Sequence, residues 1–453
     1  MRQKRSGYWW LAMGLISSFI SITAKSQSTS INIKIAIELA ITNNYSLKAD
    51  SLNILTAGYQ VNVAKADFLP QVNYTSKTEY NPAIPSQMLP GNIVGQPSKD
   101  LVPVQFGTQY AMGHGFEATQ SIIRKSSKIH IEEARLNTHI AKTKHQLTKE
   151  ELVYQVATAF YGLQATAESI RTTTSDYNNI KDILTIAKAQ YENGVLKRID
   201  MESLEINAAN KQSQLNQLQT KYNEQLAYFK YLLGVPQHTA ITIAETIVTN
   251  NETIPGAGTK LWNRNDVLLY RQMIQAKELE IKGIKAEKKP TLSAYFRFNY
   301  QSQFSDAGDA FKNDYWYKSA TVGISTSIPL FDGFRRRNRI TIAQTQLQQL
   351  HFNNELQQQL ANTEWISASE SLNNNRGQVQ ITQKNLAVAE KVFASRKALY
   401  AEGVTTLIEL LDAERELSSS RNLYTQALIS VQTSLVDAHK ANGTLLTEFI
   451  QSL

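Results

Sequence analysis

Two rhythms of apolar residues run through the chain. Four segments alternate apolar and polar side chains with a period of two, the pattern of a strand with two unlike faces. Val72, Tyr74 and Tyr80 fall on one side of the first, with Gln71, Asn73, Thr75, Lys77 and Glu79 on the other. In the second, Phe106, Tyr110, Met112, Phe116 and Ala118 alternate with Gln105, Gln109 and Glu117. In the third, Leu292, Ala294, Phe296, Phe298 and Tyr300 alternate with Ser293, Arg297, Asn299, Gln301 and Gln303. In the fourth, Ala320, Val322, Ile324 and Ile328 alternate with Thr321, Gly323, Ser325 and Ser327, and Tyr315, Trp316 and Tyr317 precede it like an aromatic girdle. The pattern predicts strands over about 70–82, 105–123, 291–304 and 317–331.

The second rhythm is helical. Leu152, Val156, Phe160 and Leu163, and again Leu347, Leu350, Leu356 and Leu360, recur at helix spacing. Residues 124–192 contain no proline and one glycine, Gly162; residues 337–402 contain no proline and one glycine, Gly377. Each window predicts a helix of about 100 Å at 1.5 Å per residue, longer than a compact domain needs. Breaks are expected near Thr172–Ser175 and Asn373–Gly377, where turn formers cluster. The chain turns back at Gly194 and Gly403, residues suited to a left-handed helix end, and Thr405-Thr406 can cap the helix that follows. Two helical hairpins result, 124–234 and 335–443.

The two rhythms are duplicated. Tyr191-Glu-Asn-Gly194-Val195 recurs as Tyr400-Ala-Glu-Gly403-Val404, 209 residues later, and Ile199, Asp200, Glu205, Leu226 and Gly234 keep that offset to Ile408, Glu409, Glu414, Leu435 and Gly443. Upstream, Lys65–Pro70 resembles Lys285–Pro290 at an offset of 220. Such a long period marks two halves of one architecture, residues 27–234 and 263–453. Each half opens with a helix, roughly 33–67 and 264–288, that stops at the proline just named. Residues 235–262 link the halves, with a short strand at Ile241–Ile243. Residues 81–104, with five of the ten prolines, read as an irregular outer loop, and 305–314 as a shorter one.

Composition sets the compartment. Arg2, Lys4 and Arg5, the apolar run Gly7–Ile22 and Ala24-Lys25-Ser26 read as a signal peptide over 1–26. That segment holds four of the 47 Lys and Arg and none of the 39 Asp and Glu, leaving a net charge of +4, too little and too mixed for nucleic acid. There is no cysteine, so no disulfide, thiolate site or lipid-modified cysteine is expected. No later segment has the run of apolar residues of a membrane helix. The polar strand faces, rich in long and charged groups, suit a wet lumen. A sheet with bare edges cannot sit in lipid, and four strands are too few to close a barrel. A membrane reading therefore forces several copies to share one barrel.

No enzyme, metal or cofactor constellation is visible. The seven histidines are scattered, and phosphate-loop, dinucleotide and nucleophile-elbow motifs are absent. Arg335-Arg336-Arg337-Asn338-Arg339, after Leu330-Phe331-Asp332-Gly333, reads as the inner membrane boundary, where cations meet headgroups. Glu409 and Asp412 share a helix face; in one chain they are simply solvated, and in a symmetric oligomer they become stacked acidic rings. A soluble periplasmic coiled-coil scaffold or adaptor is the alternative reading.

The two-half layout, the strand pairs, Leu330-Phe331-Asp332-Gly333 before the arginines, and Tyr-x-x-Gly-Val followed by Ile-Asp or Ile-Glu together resemble the TolC family of outer-membrane efflux proteins. The resemblance spans essentially the whole chain after residue 26. It implies a mainly α fold with membrane β: a homotrimer whose chains each give four strands to a twelve-stranded barrel and two hairpins to a periplasmic tunnel. It implies a passive exit path in a tripartite efflux or type I secretion system, with a periplasmic adaptor and an inner-membrane transporter of RND or ABC type as partners. Gly194 and Gly403 match the adaptor-contacting tips. Tyr400 matches the gate tyrosine, Asp200 the aspartate that holds the gate, and Glu409 and Asp412 the entrance rings. Thr405 stands where the family has a gate arginine, so fewer charged ties are expected, or ties drawn from Lys197 or Arg198.

Overall fold

The computed structural model describes residues 29–243 and 261–450. The signal segment 1–26 and most of the 235–262 link lie outside the described residues. Chain order is β1 (Thr29–Ile31), α1 (Ile33–Asn43), α2 (Tyr45–Ala66), β2 (Gln71–Tyr80), β3 (Ser86–Pro90), β4 (Leu101–Gln105) and β5 (Tyr110–Ile123). There follow α3 (Lys125–Glu192), α4 (Arg198–Leu233), β6 (Ile241–Ile243), α5 (Asn265–Ala286), β7 (Thr291–Phe304), β8 (Trp316–Ser327), α6 (Arg335–Ala401), α7 (Leu407–Ala441) and α8 (Leu445–Ile450).

The four long strands form one antiparallel sheet in the order β2-β5-β7-β8. The two duplicated hairpins meet at β5 and β7, where Phe116 pairs with Phe298 and Glu117 with Arg297. Period-two patterning becomes two continuous faces. Val72, Ala118, Phe296 and Val322 form one row across the sheet, and Tyr74, Phe116, Phe298 and Ala320 the next. The opposite face carries Asn73, Glu117, Arg297 and Thr321, then Thr75, Gly115, Asn299 and Ser319. On the apolar face, aromatic rings gather toward the loop end. Tyr110 lies 4.9 Å from Tyr80 and 5.6 Å from Phe304, and Trp316 stacks 4.7 Å from Tyr300. This is the belt expected where a barrel meets a membrane interface. β2 and β8 each pair on one side only, leaving two bare edges among the described residues.

Several boundaries differ from the sequence reading, each for a local reason. The second strand begins at Tyr110, not 105, because Gly107 at φ 135° turns the chain and leaves Phe106 outside. The outer loop holds an antiparallel ribbon, β3 with β4. Its prolines, Pro90 and Pro103, are tolerated in a two-stranded ribbon, where a missing N–H can face water. β8 ends at Ser327, short of 331, just before Pro329, which cannot donate to a ladder. The opening helix of 33–67 is two helices, because Asn44 caps α2 by accepting from the Leu47 N–H and donates 3.0 Å to the Leu232 carbonyl.

The breaks expected in the long helices do not occur: α3 and α6 are continuous over 68 and 67 residues. At Thr172 and Thr174 the hydroxyls bond back to the Ser169 and Ile170 carbonyls, so they are satisfied within the helix. Asn375 donates 2.5 Å to Ser434 Oγ on α7, which makes it a tertiary tie rather than a turn.

Midway along the molecule, β1 pairs in parallel with β6. Around this ribbon lies the largest core, with Ile37 of α1, Val153, Val156 and Phe160 of α3, Phe229 and Leu233 of α4, Val436 of α7 and Leu445 of α8. It fixes the hairpins at the level from which they run to their tips.

Candidate functional site: the hairpin tips and the ties between them

The two tips are built alike. The Gly194 N–H donates to Tyr191 O and Val195 N–H to Gln190 O; Gly403 and Val404 repeat this with Tyr400 and Leu399. Both glycines sit in the left-handed region, φ 71° and 75°, which any side chain would strain. Beyond each turn the repeat leaves matching apolar residues exposed, Val195 and Ile199 on one tip, Val404 and Ile408 on the other.

The duplicated tyrosines differ. Tyr191 is partly exposed, whereas Tyr400 is 4% exposed and joins a core shared by both hairpins. That core contains Ile183 and Ala187 of α3, Leu204 of α4, Phe393 of α6, and Leu407, Leu410 and Leu417 of α7. The Tyr400 hydroxyl donates to Gln190 Oε1 of α3 at 2.9 Å. Asp200, in the first turn of α4, lies close enough for its charge to add to burial in raising the Tyr400 phenol pKa. The hydrogen bond, however, goes to Gln190. Three residues before Tyr400, Lys397 Nζ reaches Asp182 Oδ2 of α3 at 3.0 Å. Near the tips, two side-chain contacts thus tie the hairpin of α6 and α7 to that of α3 and α4.

Glu409 and Asp412 both lie on the exposed side of the start of α7, but neither carboxylate is free. Glu409 closes a capping box with Thr406, and one of its oxygens also takes the Thr405 hydroxyl and lies 3.3 Å from Arg396 Nη1. These contacts, the Thr405 hydroxyl first, hold the Glu409 pKa below its ordinary value. Asp412 pairs with Arg415 one turn on, at 2.8 Å. Each acidic position therefore carries its own arginine. Within one chain, the two cations named for the tip make no tie between the hairpins among the described residues. Arg198 pairs with Glu202 in its own helix at 2.7 Å, and Lys197 caps α4 with its backbone only. Arg396 of α6 is the cation that meets this turn, 3.3 Å from both Thr405 Oγ1 and Glu409 within the same hairpin. Its position four residues before Tyr400 was the available sequence signal.

A second cluster, unforeseen in the sequence, lies farther from the tips. Asp176 of α3 is buried and accepts from Ser418 Oγ at 2.5 Å, Arg421 Nη1 at 3.2 Å and Lys211 Nζ at 3.4 Å. It joins three helices of both hairpins. Glu414 of α7 lies beside it, also buried, with Oε1 lacking a hydrogen-bond partner. A cavity of about 560 Å³ between α4 and α7 is lined here by Lys211, Glu414, Asn207 and Asn422.

Burial raises the Glu414 pKa above its ordinary 4.5, against the pull of Lys211, and Asp176 adds to the rise. A raised carboxylate favours folding fully below its unfolded pKa and loses that contribution as pH climbs through the folded value. Glu414→Gln should therefore raise the melting temperature at pH 7 and change it little at pH 4. Thermal unfolding of both proteins at the two pH values checks this; an equal shift at both would contradict it.

An isolated sheet with one lipid-suited face, carried on two hairpins about twice its length, defines a protomer of an outer-membrane channel-tunnel. A sequence model of the outer membrane efflux protein family matches residues 259–444. The chain is 22% identical to the cation efflux system protein CusC of Escherichia coli K12 over 424 residues, 91% of this chain and 86% of that one. It is 22% identical to the probable outer membrane lipoprotein SilC of Salmonella typhimurium over 419 residues, 89% and 84% of the two chains. The fold superposes on the crystal structure of CusC with a TM-score of 0.74 at 19% identity, covering 97% of this chain and 99% of that one. With VceC of Vibrio cholerae the TM-score is 0.75 at 16% identity, covering 91% and 96%. Residues 259–444 thus match the outer membrane efflux protein family, and the fold is that of solved outer-membrane channels. The chain is a protein of the bacterial outer membrane that extends into the periplasm.

Proposed function

We propose that three copies of this chain close a twelve-stranded barrel and a helical tunnel, a passive exit path in a tripartite efflux or type I secretion system. The observation that carries this is the sheet: four strands, one face with largely apolar and aromatic rows, and two bare edges, β2 and β8. Unpaired backbone groups in lipid cost several kcal/mol each, so each β8 needs another chain's β2. The same rows of exposed aromatic and branched residues count against a soluble scaffold.

Energy for transport comes from a partner, an inner-membrane transporter, reached through a periplasmic adaptor. The exposed Val-Ile pairs at the two tips, repeated around a three-fold axis, suit an adaptor's apolar surface. The gate lies at the tips. It is held by Tyr400 on Gln190, Lys397 on Asp182 and the charge of Asp200 behind Tyr400, with Gly194 and Gly403 shaping the turns. Glu409 and Asp412 face the entrance as arginine-paired carboxylates, a weaker attraction for cations than bare rings would exert. The relatives named for cation efflux make metal ions one cargo class for this chain.

The native chain has no cysteine, so cross-links report only on introduced thiols. Thr75→Cys on β2 and Ser319→Cys on β8 lie in one row but with β5 and β7 between them. Three strand spacings are about 14 Å, beyond the reach of a disulfide within one chain. Mild oxidation or a short thiol cross-linker should give species ending at three chains. A chain that stays monomeric in the membrane under these conditions contradicts the shared barrel.

A further inference from the structure

The link from β8 to α6 carries an exposed feature that neither the gate nor the tunnel uses. β8 contributes Val322 and Ile324 to the apolar face, and Ile328 and Leu330, both exposed, follow the strand. Leu330 is 93% and Phe331 76% exposed. The Phe331 and Phe334 rings meet edge-on at 5.5 Å, forming a small apolar ledge. Phe334 holds this position at φ 61°, the one positive φ of a non-glycine residue among the described residues. A β-carbon in that region is strained, and the strain sets an aromatic ring outward, where burial gives it nothing within this chain.

The charges beside the ledge are sorted. Arg336 lies 3.3 Å from Asp332, which also caps its N–H, and Arg339 makes two bonds of 2.8 and 2.9 Å to Glu287, the residue that ends α5. Arg335 and Arg337 are exposed and have no side-chain partner among the described residues. Two unpaired cations therefore flank an apolar ledge at the periplasmic end of the lipid-facing row.

We propose that Phe331, Phe334, Arg335 and Arg337 form a seat for an anionic phospholipid of the inner leaflet. The rings lie against the upper acyl chain and the two guanidinium groups take the phosphate. Charge complementarity and continuity with the lipid-facing face favour this occupant over a protein segment. Arginine forks bind phosphate with two parallel bonds and keep their charge at the interface. The seat would anchor the junction of barrel and tunnel, where force on the helices meets the membrane.

The inference rests on the barrel reading, and the two fail separately. The purified full chain is placed in nanodiscs of phosphatidylcholine and phosphatidylglycerol in equal parts, and lipids retained after detergent extraction are counted by native mass spectrometry. Failure to insert refutes the barrel. Insertion with phosphatidylglycerol enriched supports the seat, and Arg335→Gln with Arg337→Gln should lower that enrichment by about fivefold per arginine. Arg336→Gln should leave the enrichment in place, because Asp332 already holds that guanidinium. Phe334→Gly relieves the backbone strain, so it should leave folding intact while lowering retention of both lipids. Equal retention of the two lipids by the native protein overturns the proposal. So does a double variant that keeps its enrichment. A double variant that falls apart to monomers in lipid-free detergent also overturns it, by showing that a second copy covers the ledge.

Discussion

Asp176→Ala is expected to lower the stability of the folded chain by about 3–5 kcal/mol, the range for breaking a buried ion pair by removing one partner. Asp176 is 2% exposed and is the shared acceptor for Lys211, Ser418 and Arg421. Alanine leaves the two cations of α4 and α7 facing each other with no counter-charge, and the neighbouring Glu414 is itself reluctant to ionise. Chemical denaturation followed by helical circular dichroism measures the loss. The more telling variant replaces the whole set, Asp176→Leu with Lys211→Met and Arg421→Met. Removing every partner leaves no orphaned charge and should recover most of the stability. By comparison, Asp182→Ala breaks an exposed pair and should cost less than about 1 kcal/mol. An Asp176→Ala protein as stable as the native one would show that the cluster holds nothing together.

The second large effect is on the closed tip. Tyr400→Phe together with Lys397→Ala removes both side-chain ties from the hairpin of α6 and α7 to α3 near the gate. A hydrogen bond contributes about 0.5–1.5 kcal/mol and an exposed ion pair up to about 1. Their joint loss, if confined to the closed state, moves the closed-to-open ratio by roughly tenfold. Single-channel conductance in a planar bilayer should show longer and more frequent open events, with the fully open conductance unchanged because the pore lining is intact. Arg198→Gln is the control: its partner Glu202 lies in the same helix, so open probability should not move. If the double variant stays as closed as the native pore, the closing free energy lies in the shared apolar core around Tyr400 and not in the polar ties.

Much of this architecture is written locally and was legible in the sequence. Alternation such as Leu292 to Tyr300 belongs to one strand and needs no partner to be read. Gly194 and Gly403 announce their turns by the backbone conformation they permit. The duplication exposed the two-half layout because equivalent residues keep one offset over a long gapless stretch.

What escaped was set by neighbours in space. Thr172–Ser175 looks like a break, yet its hydroxyls find carbonyls one turn back, so the helix runs on. Asp176 reads as a solvated helix aspartate until Lys211 and Arg421 arrive from two other helices. Arg396 reads as one more cation on a mixed surface, and its role depends on α7 folding back to bring Glu409 and Thr405 to it. Gln190 rather than Asp200 receives the Tyr400 hydroxyl because that bond depends on how the two hairpins seat against each other.

The central claim is that one chain supplies a third of a barrel. Native mass spectrometry of the protein extracted from membranes in mild detergent tests it most directly. The account predicts three times the chain mass, released from the membrane fraction only by detergent. A monomer recovered in the soluble fraction without detergent would contradict it.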